Sequence, residues 1–146
     1  MNTIEIFGNP IPLHRPRACK RGPHIRMYND QEKIMEQYRW QIKFQFNSQP
    51  YTVPVHLIFH FFFPILKHTS KVRTSQSLAG LLVPMKRPDL DNLIKFQMDC
   101  MNGIVYEDDC QVTKLTAEKL FGLEPKTIIQ IIPRFHSKQV ADEDNL

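Results

Sequence analysis

At 146 residues the chain is long enough for one domain with a real core and too short for two. Its 42% hydrophobic content is that of an ordinary globular protein, and a net charge of +4 admits a polyanionic partner without requiring one. Three scattered cysteines, Cys19, Cys100 and Cys110, lack CxxC spacing, which argues against a disulfide framework or a zinc site and fits a reducing, cytoplasmic setting.

In chain order, Ile4 and Ile6 alternate with Thr3 and Glu5, and this period of two predicts a first strand over residues 2–7, ended by Gly8-Asn9-Pro10. Leu13 to Arg26 carries Arg15, Arg17, Lys20, Arg21 and Arg26 with no acidic residue, and Pro16 and Gly22-Pro23 break it into a loop. Such a loop suits phosphate contacts, and it equally suits plain solvation. His14 and His24 within it read as DNA-facing or exposed rather than as metal ligands. A helix then begins at Asn29 or Asp30, with Glu32 placed to close a capping box on Asn29. Its stripe is Ile34, Tyr38, Ile42 and Phe46, and Trp40 falls off centre, at a core margin or an interface.

Residues 53–63, VPVHLIFHFFF, form the strongest strand, with every odd position apolar and one face buried throughout. His56 and His60 share the other face about 13 Å apart, too far to chelate one ion. This is also the longest apolar run, and His60 and Pro64 interrupt it well short of a membrane span. The start of the chain has no signal-peptide pattern. Pro64 to Arg87 is a second acid-free stretch, with Lys67, Lys71, Arg73, Lys86 and Arg87 in what reads as a long basic loop. Together the two acid-free segments hold ten of the nineteen Lys and Arg residues, and the second runs straight into Asp89.

Residues 86–111, KRPDLDNLIKFQMDCMNGIVYEDDCQ, gather most of the chemically suggestive side chains. Leu90, Leu93, Ile94, Met98 and Met101 recur at helical steps, with Asp89, Asp91 or Asn92 available as the cap and Asn102-Gly103 as the stop. Asp91 and Lys95 then share one helix face, with Asp99 a turn further on. Ile104-Val105-Tyr106 returns to the core and delivers Asp108 and Asp109 from the far side of the turn. Converging carboxylates repel one another unless their pKa values rise or a cation compensates them, and magnesium with a nearby lysine suits phosphodiester chemistry. The same residues also describe an ordinary surface pair worth about 0.3–0.5 kcal/mol and a solvated acidic turn.

RPDLDNLIK, followed about a dozen residues later by NGIVYEDDCQV, resembles the signature of the RusA family of Holliday-junction resolvases. That signature is an Asp-x-Asp-Asn-x-x-x-Lys-type segment, then an aspartate, a small-residue turn and a paired Asp-Asp-x-Gln. The resemblance implies that Asp89, Asp91 and Asp109 ligate Mg2+, that Lys95 is the essential lysine, and that Asp108 assists. It is specific over residues 86–111 and looser over residues 2–133. Two departures stand out: the 64–87 segment is longer than in the best-known member, and the Asn102-Gly103 turn is about one residue shorter.

Residues 112–121 and 127–132 read as two further strands, the second ended by Pro133. We therefore expect one α+β domain over residues 1–133, a mixed sheet of about four strands with two helices largely on one face, and a polar, disordered tail over 134–146. The resemblance implies the same fold and a homodimer acting on four-way DNA junctions. The expected DNA-binding residues are Arg15, Arg17, Lys20, Arg21, Lys67, Lys71, Arg73, Lys86 and Arg87. The leading expectation is a magnesium-dependent resolvase. A nuclease for flaps or other branched DNA, and a non-catalytic junction-binding protein, are the alternatives.

Overall fold

The alternation over residues 2–7 becomes an edge strand, and the long apolar run after residue 54 an inner strand, of one sheet. In the computed structural model, which describes residues 1–135, the main sheet comprises β1 (Asn2–Phe7), β4 (Val55–Pro64), β5 (Val112–Gly122) and β6 (Lys126–Pro133). Their order is β1-β6-β4-β5, with β6 antiparallel to both neighbours and β5 parallel to β4. A parallel pair cannot be closed by a tight turn, so the chain must cross over between β4 and β5. That crossover carries the candidate site.

Register decides what the sheet buries. Ile4 pairs with Ile129 and Ile129 with Phe59, while Ile131 pairs with Leu57, so these apolar rows share one face. Two helices cover it: α1 (Glu32–Gln45), through Tyr38 and Ile42, and α3 (Leu90–Met101), through Leu93, Phe96, Cys100 and Met101. Tyr38 meets Phe96 edge-on at 5.1 Å and joins the two helices. Each of these fully buried side chains contributes about 1.5–3 kcal/mol of transfer free energy.

The opposite face, with Ile58, Phe62 and Ile128, is only half-buried. Polar pairs occupy part of it: His60 with Glu118 at 2.8 Å, His56 with Thr116 at 3.2 Å, and Lys126 with Glu5 at 2.7 Å. The two histidines thus bond within the sheet.

The α+β class and the four-stranded mixed sheet agree with expectation, but there are three helices rather than two. Within the supposed loop 64–87, Ser70 accepts a bond from the Arg73 amide and caps α2 (Lys71–Leu78), which packs along β5. The other basic segment is not a loop either. Residues 17–28 form a two-stranded hairpin, β2 (Arg17–Arg21) and β3 (His24–Tyr28), and Gly22 at φ +60 supplies the positive φ that its two-residue turn needs. The proline and glycine that read as breakers frame the hairpin.

Three finer expectations also change. No capping box forms at α1; Gln31 is the cap residue, and the Asn29 side chain instead accepts from the Gln31 amide at 2.9 Å. Trp40 lies on the outward side of α1, 68% exposed, with the exposed Phe44 one turn on, so it does not seal a core margin. On α3 the buried stripe is rotated to Leu93, Phe96, Gln97, Cys100 and Met101, leaving Leu90, Ile94 and Met98 half-buried at its edge. Of the expected polar tail, residues 136–146 lie outside the described residues, and Arg134 still donates its amide to Pro54. No helix among the described residues is long and apolar enough to cross a membrane.

Candidate active site

The rotation of α3 has a chemical consequence. With residues 93, 96, 97 and 100 turned into the core, Asp91, Lys95 and Asp99 line up at four-residue spacing on the side facing the start of β5. There they meet Asp109 and Leu115 around a shallow cavity of about 360 Å³, floored by Ile94 and Met98. The floor is apolar and the rim carries three carboxylates and one ammonium. Charges over such a floor interact more strongly than in bulk water.

Two devices hold the walls. Lys119, on β5, donates from Nζ to the carbonyls of Lys86 at 2.6 Å and Pro88 at 2.9 Å, fixing the chain as it enters α3. Arg39, on α1, reaches the carbonyls of Cys100 at 3.2 Å and Asn102 at 3.1 Å and so satisfies the C-terminal end of α3. Gly103, at φ +77, then reverses the chain, and Val105 and Tyr106 return to the core. The Tyr106 hydroxyl donates to the Met98 carbonyl at 2.8 Å.

The acidic turn is built by Gln111 and Asp108. Gln111 Oε1 accepts from the amides of Glu107 at 2.9 Å and Asp108 at 3.0 Å. Its Nε2 donates to the carbonyls of Tyr51 at 2.7 Å and Val53 at 3.1 Å. The Asp108 carboxylate accepts from the Asp109 amide at 3.0 Å and caps the short 3-10 turn Asp109–Gln111. A hydrogen bond from the Cys110 thiol, with that amide, holds Asp108 below the usual carboxylate range. Asp108 therefore shapes the turn, while Asp109 is left facing the cavity.

Of the expected ligands, Asp91 and Asp109 line the cavity together with Lys95, whereas Asp89 sits at the N-cap of α3 outside its lining. Asp99 joins them. Burial raises its carboxyl above the ordinary value, Lys95 pulls it back, and Asp109 adds a smaller upward push. Sequence reasoning noticed Asp99 only as the next turn of the helix; its spacing of four from Lys95 and eight from Asp91 was the available signal. Among the described residues no three His, Cys, Asp or Glu side chains stand ready-made as a metal cage. The carboxylate oxygens of Asp91, Asp99 and Asp109 are nonetheless hard donors of the kind a divalent cation takes.

All nine expected DNA-contacting residues are exposed. Arg17 is already engaged, its Nε 3.0 Å from Asp30, while Lys20 and Arg21 lie on the hairpin and Lys71 and Arg73 in the first turn of α2. The root of the hairpin is tied to the site: the Leu13 amide donates to the Asn92 carbonyl at 2.9 Å. The His14 amide donates to Gln31 Oε1 at 2.7 Å, and Gln31 Nε2 donates to the Pro12 carbonyl at 2.8 Å.

The endodeoxyribonuclease RusA family profile matches residues 8–132, which include every element of the cavity. The chain is also 30% identical over 132 residues to the uncharacterized protein YqaN of Bacillus subtilis (strain 168), covering 88% of this chain and 93% of that protein.

Proposed function

The chain belongs to the RusA endodeoxyribonuclease family, and from that premise we propose that it is a magnesium-dependent, structure-specific endonuclease resolving Holliday junctions by paired symmetric phosphodiester hydrolysis in DNA recombination and repair. The observation that carries the reading is the meeting of Asp91, Lys95, Asp99 and Asp109 around one cavity, on a chain with ten of its nineteen Lys and Arg residues in the two acid-free segments 13–26 and 64–87. Asp91 and Asp109, with Asp89 from the N-cap, are the proposed metal holders, and Asp108 assists by shaping the turn. When bound, the ion supplies Lewis-acid stabilisation of the leaving oxygen and a more acidic attacking water. Lys95 brings its ammonium to the scissile phosphoryl group and stabilises the charge that develops there. Exposed cations of the hairpin, of α2 and of the Lys86-Arg87 approach bind backbone phosphates to either side, without reading sequence.

Paired nicks at symmetric positions need two sites, which a two-fold homodimer would provide. The exposed Trp40–Phe44 pair and the half-buried sheet face support self-association. A cytoplasmic location follows from the substrate and is part of the proposal.

The test is cleavage of a synthetic mobile four-way junction, with magnesium and with EDTA, by wild type and Asp91→Asn. Paired symmetric nicks that need both the metal and Asp91 are expected. If flaps are cut faster than junctions, the substrate assignment moves to other branched DNA. Binding without cleavage in any divalent metal would leave a junction-binding protein in place of the enzyme.

A further inference from the structure

No side chain of the β2–β3 hairpin joins the core cluster, and all ten of its strand residues are exposed. An isolated two-stranded hairpin is marginal in water, so its side-chain pattern points to what it meets rather than to what it packs on. Direct partners across an antiparallel pair lie on the same face. One face therefore presents Arg17 with Tyr28, Cys19 with Arg26, and Arg21 with His24; the other presents Ala18 with Met27 and Lys20 with Ile25. The first face borders a cavity of about 580 Å³ that Arg21 and Arg26 share with Asn29 and Glu32 at the start of α1, and Met27 also reaches its wall. On the second face Ile25 is 71% and Met27 60% exposed, and the Lys20 stem extends the apolar strip while its ammonium stays in water.

Three arginines, Arg17, Arg21 and Arg26, gather on one face, and Lys20 is the one cation beside Ile25 and Met27 on the other. The root of the arm is bonded through Leu13 to Asn92, the neighbour of Asp91. Strands of this length rise roughly 17 Å, enough to reach across several base steps.

We propose that the hairpin is a wedge for the branch point of DNA. Ile25 and Met27 pack against base faces exposed where a duplex is interrupted, and Arg21 and Arg26 hold the flanking phosphates. Aliphatic side chains can pack against the face of any base, and wedges of Ile or Met between base steps are a physical means of holding a kinked duplex open. This inference rests on the DNA substrate proposed above and assigns the residues that would distinguish a branch from a continuous duplex. Phosphate contacts alone cannot do so, since every duplex presents the same backbone.

The experiment places 2-aminopurine at the branch point of a four-way junction and titrates the full chain in EDTA, with wild type and the double variant Ile25→Thr/Met27→Thr. Threonine keeps strand propensity, so the hairpin pairing survives, and circular dichroism checks the fold. Wild type is expected to raise the fluorescence severalfold by unstacking the probe. The double variant is expected to lose that rise and about tenfold in junction affinity, the loss of roughly one stacked contact, while binding linear duplex as wild type does. A double variant that unstacks and prefers the junction as wild type does overturns the wedge. So does a double variant whose only change is a lower oligomeric state in sedimentation, because the apolar face would then cover a second copy of the chain. Magnesium-dependent cleavage by wild type, run in parallel, tests the nuclease reading separately: cleavage with unaltered unstacking in the variant sinks the wedge alone, whereas unstacking without cleavage sinks the enzyme alone.

Discussion

Gln111 Nε2 donates to the Tyr51 carbonyl over 2.7 Å and thereby ties the acidic turn to the chain entering β4. Asp109 owes its place at the cavity to that side chain, which also receives the amides of Glu107 and Asp108. Gln111→Leu keeps the volume and strands four backbone groups, so stability should fall by about 1–3 kcal/mol. Cleavage should fall by roughly 10- to 100-fold, the scale of a misplacement near 1 Å. Gln111→Glu retains the acceptors for the two amides and should lose less of both. Urea unfolding and single-turnover cleavage measure the two effects, and wild-type cleavage in the leucine variant would remove Gln111 from the positioning of Asp109.

Lys119 anchors the other wall. Its ammonium is committed to the carbonyls of Lys86 and Pro88, so replacing it should loosen the entry to α3 without removing an exposed phosphate contact. Lys119→Met is expected to lower the cleavage rate about tenfold through misplacement and to leave duplex affinity within about twofold. Lys119→Arg, which keeps the donors, should recover part of the rate. A large loss of affinity with an unchanged rate would instead make Lys119 a DNA contact.

Asp99 should register in stability against pH. Its carboxyl is raised above the ordinary 3.8, chiefly by burial, so the folded state holds its proton more tightly than the unfolded chain. The stabilisation is complete below the ordinary value and is lost as pH rises through the raised one. At pH 7 the ionised Asp99 therefore weighs against the fold, and Asp99→Asn should melt higher than wild type there. The difference should close by about pH 3, where wild-type Asp99 is protonated as well. Magnesium should raise the wild-type Tm at pH 7, and raise that of Asp91→Asn and Asp109→Asn less, because an ion bound only to the folded state stabilises it. Equal melting of wild type and Asp99→Asn across this range would contradict the burial of a charged Asp99.

Gln97 faces the core from α3, fully buried, and neither amide atom has a hydrogen-bond partner among the described residues. Gln97→Met preserves the volume and removes both unpaired groups, which should add about 1–3 kcal/mol to the unfolding free energy. A destabilised methionine variant in urea titrations would show that the amide is satisfied in solution.

The sequence by itself was sufficient wherever a local period or a short spacing carries the answer. The alternation of Ile4 and Ile6, the odd-numbered apolar positions from Val55 to Phe61, and the helical spacing of Tyr38 and Ile42 follow directly from which side chains must leave water. The residues 86–111 pattern identified the family because its chemistry lies close together in the chain. Tertiary structure decided what depends on partners distant in sequence. Periodicity could not fix the rotation of α3: Leu90, Ile94 and Met98 compete with Phe96, Gln97 and Cys100 for the core, and only packing against α1 and the sheet selects the second set. That rotation brings Asp99 into the site. Likewise, Arg17 to Tyr28 has the composition of a loop because both strands of its hairpin are exposed and bury nothing, and hydrophobic patterning is silent where there is no burial. Gln111, a polar residue beside an acidic turn, becomes a keystone only when β4 lies beside β5 and the chain entering β4 supplies the two carbonyls, of Tyr51 and Val53, that its amide needs.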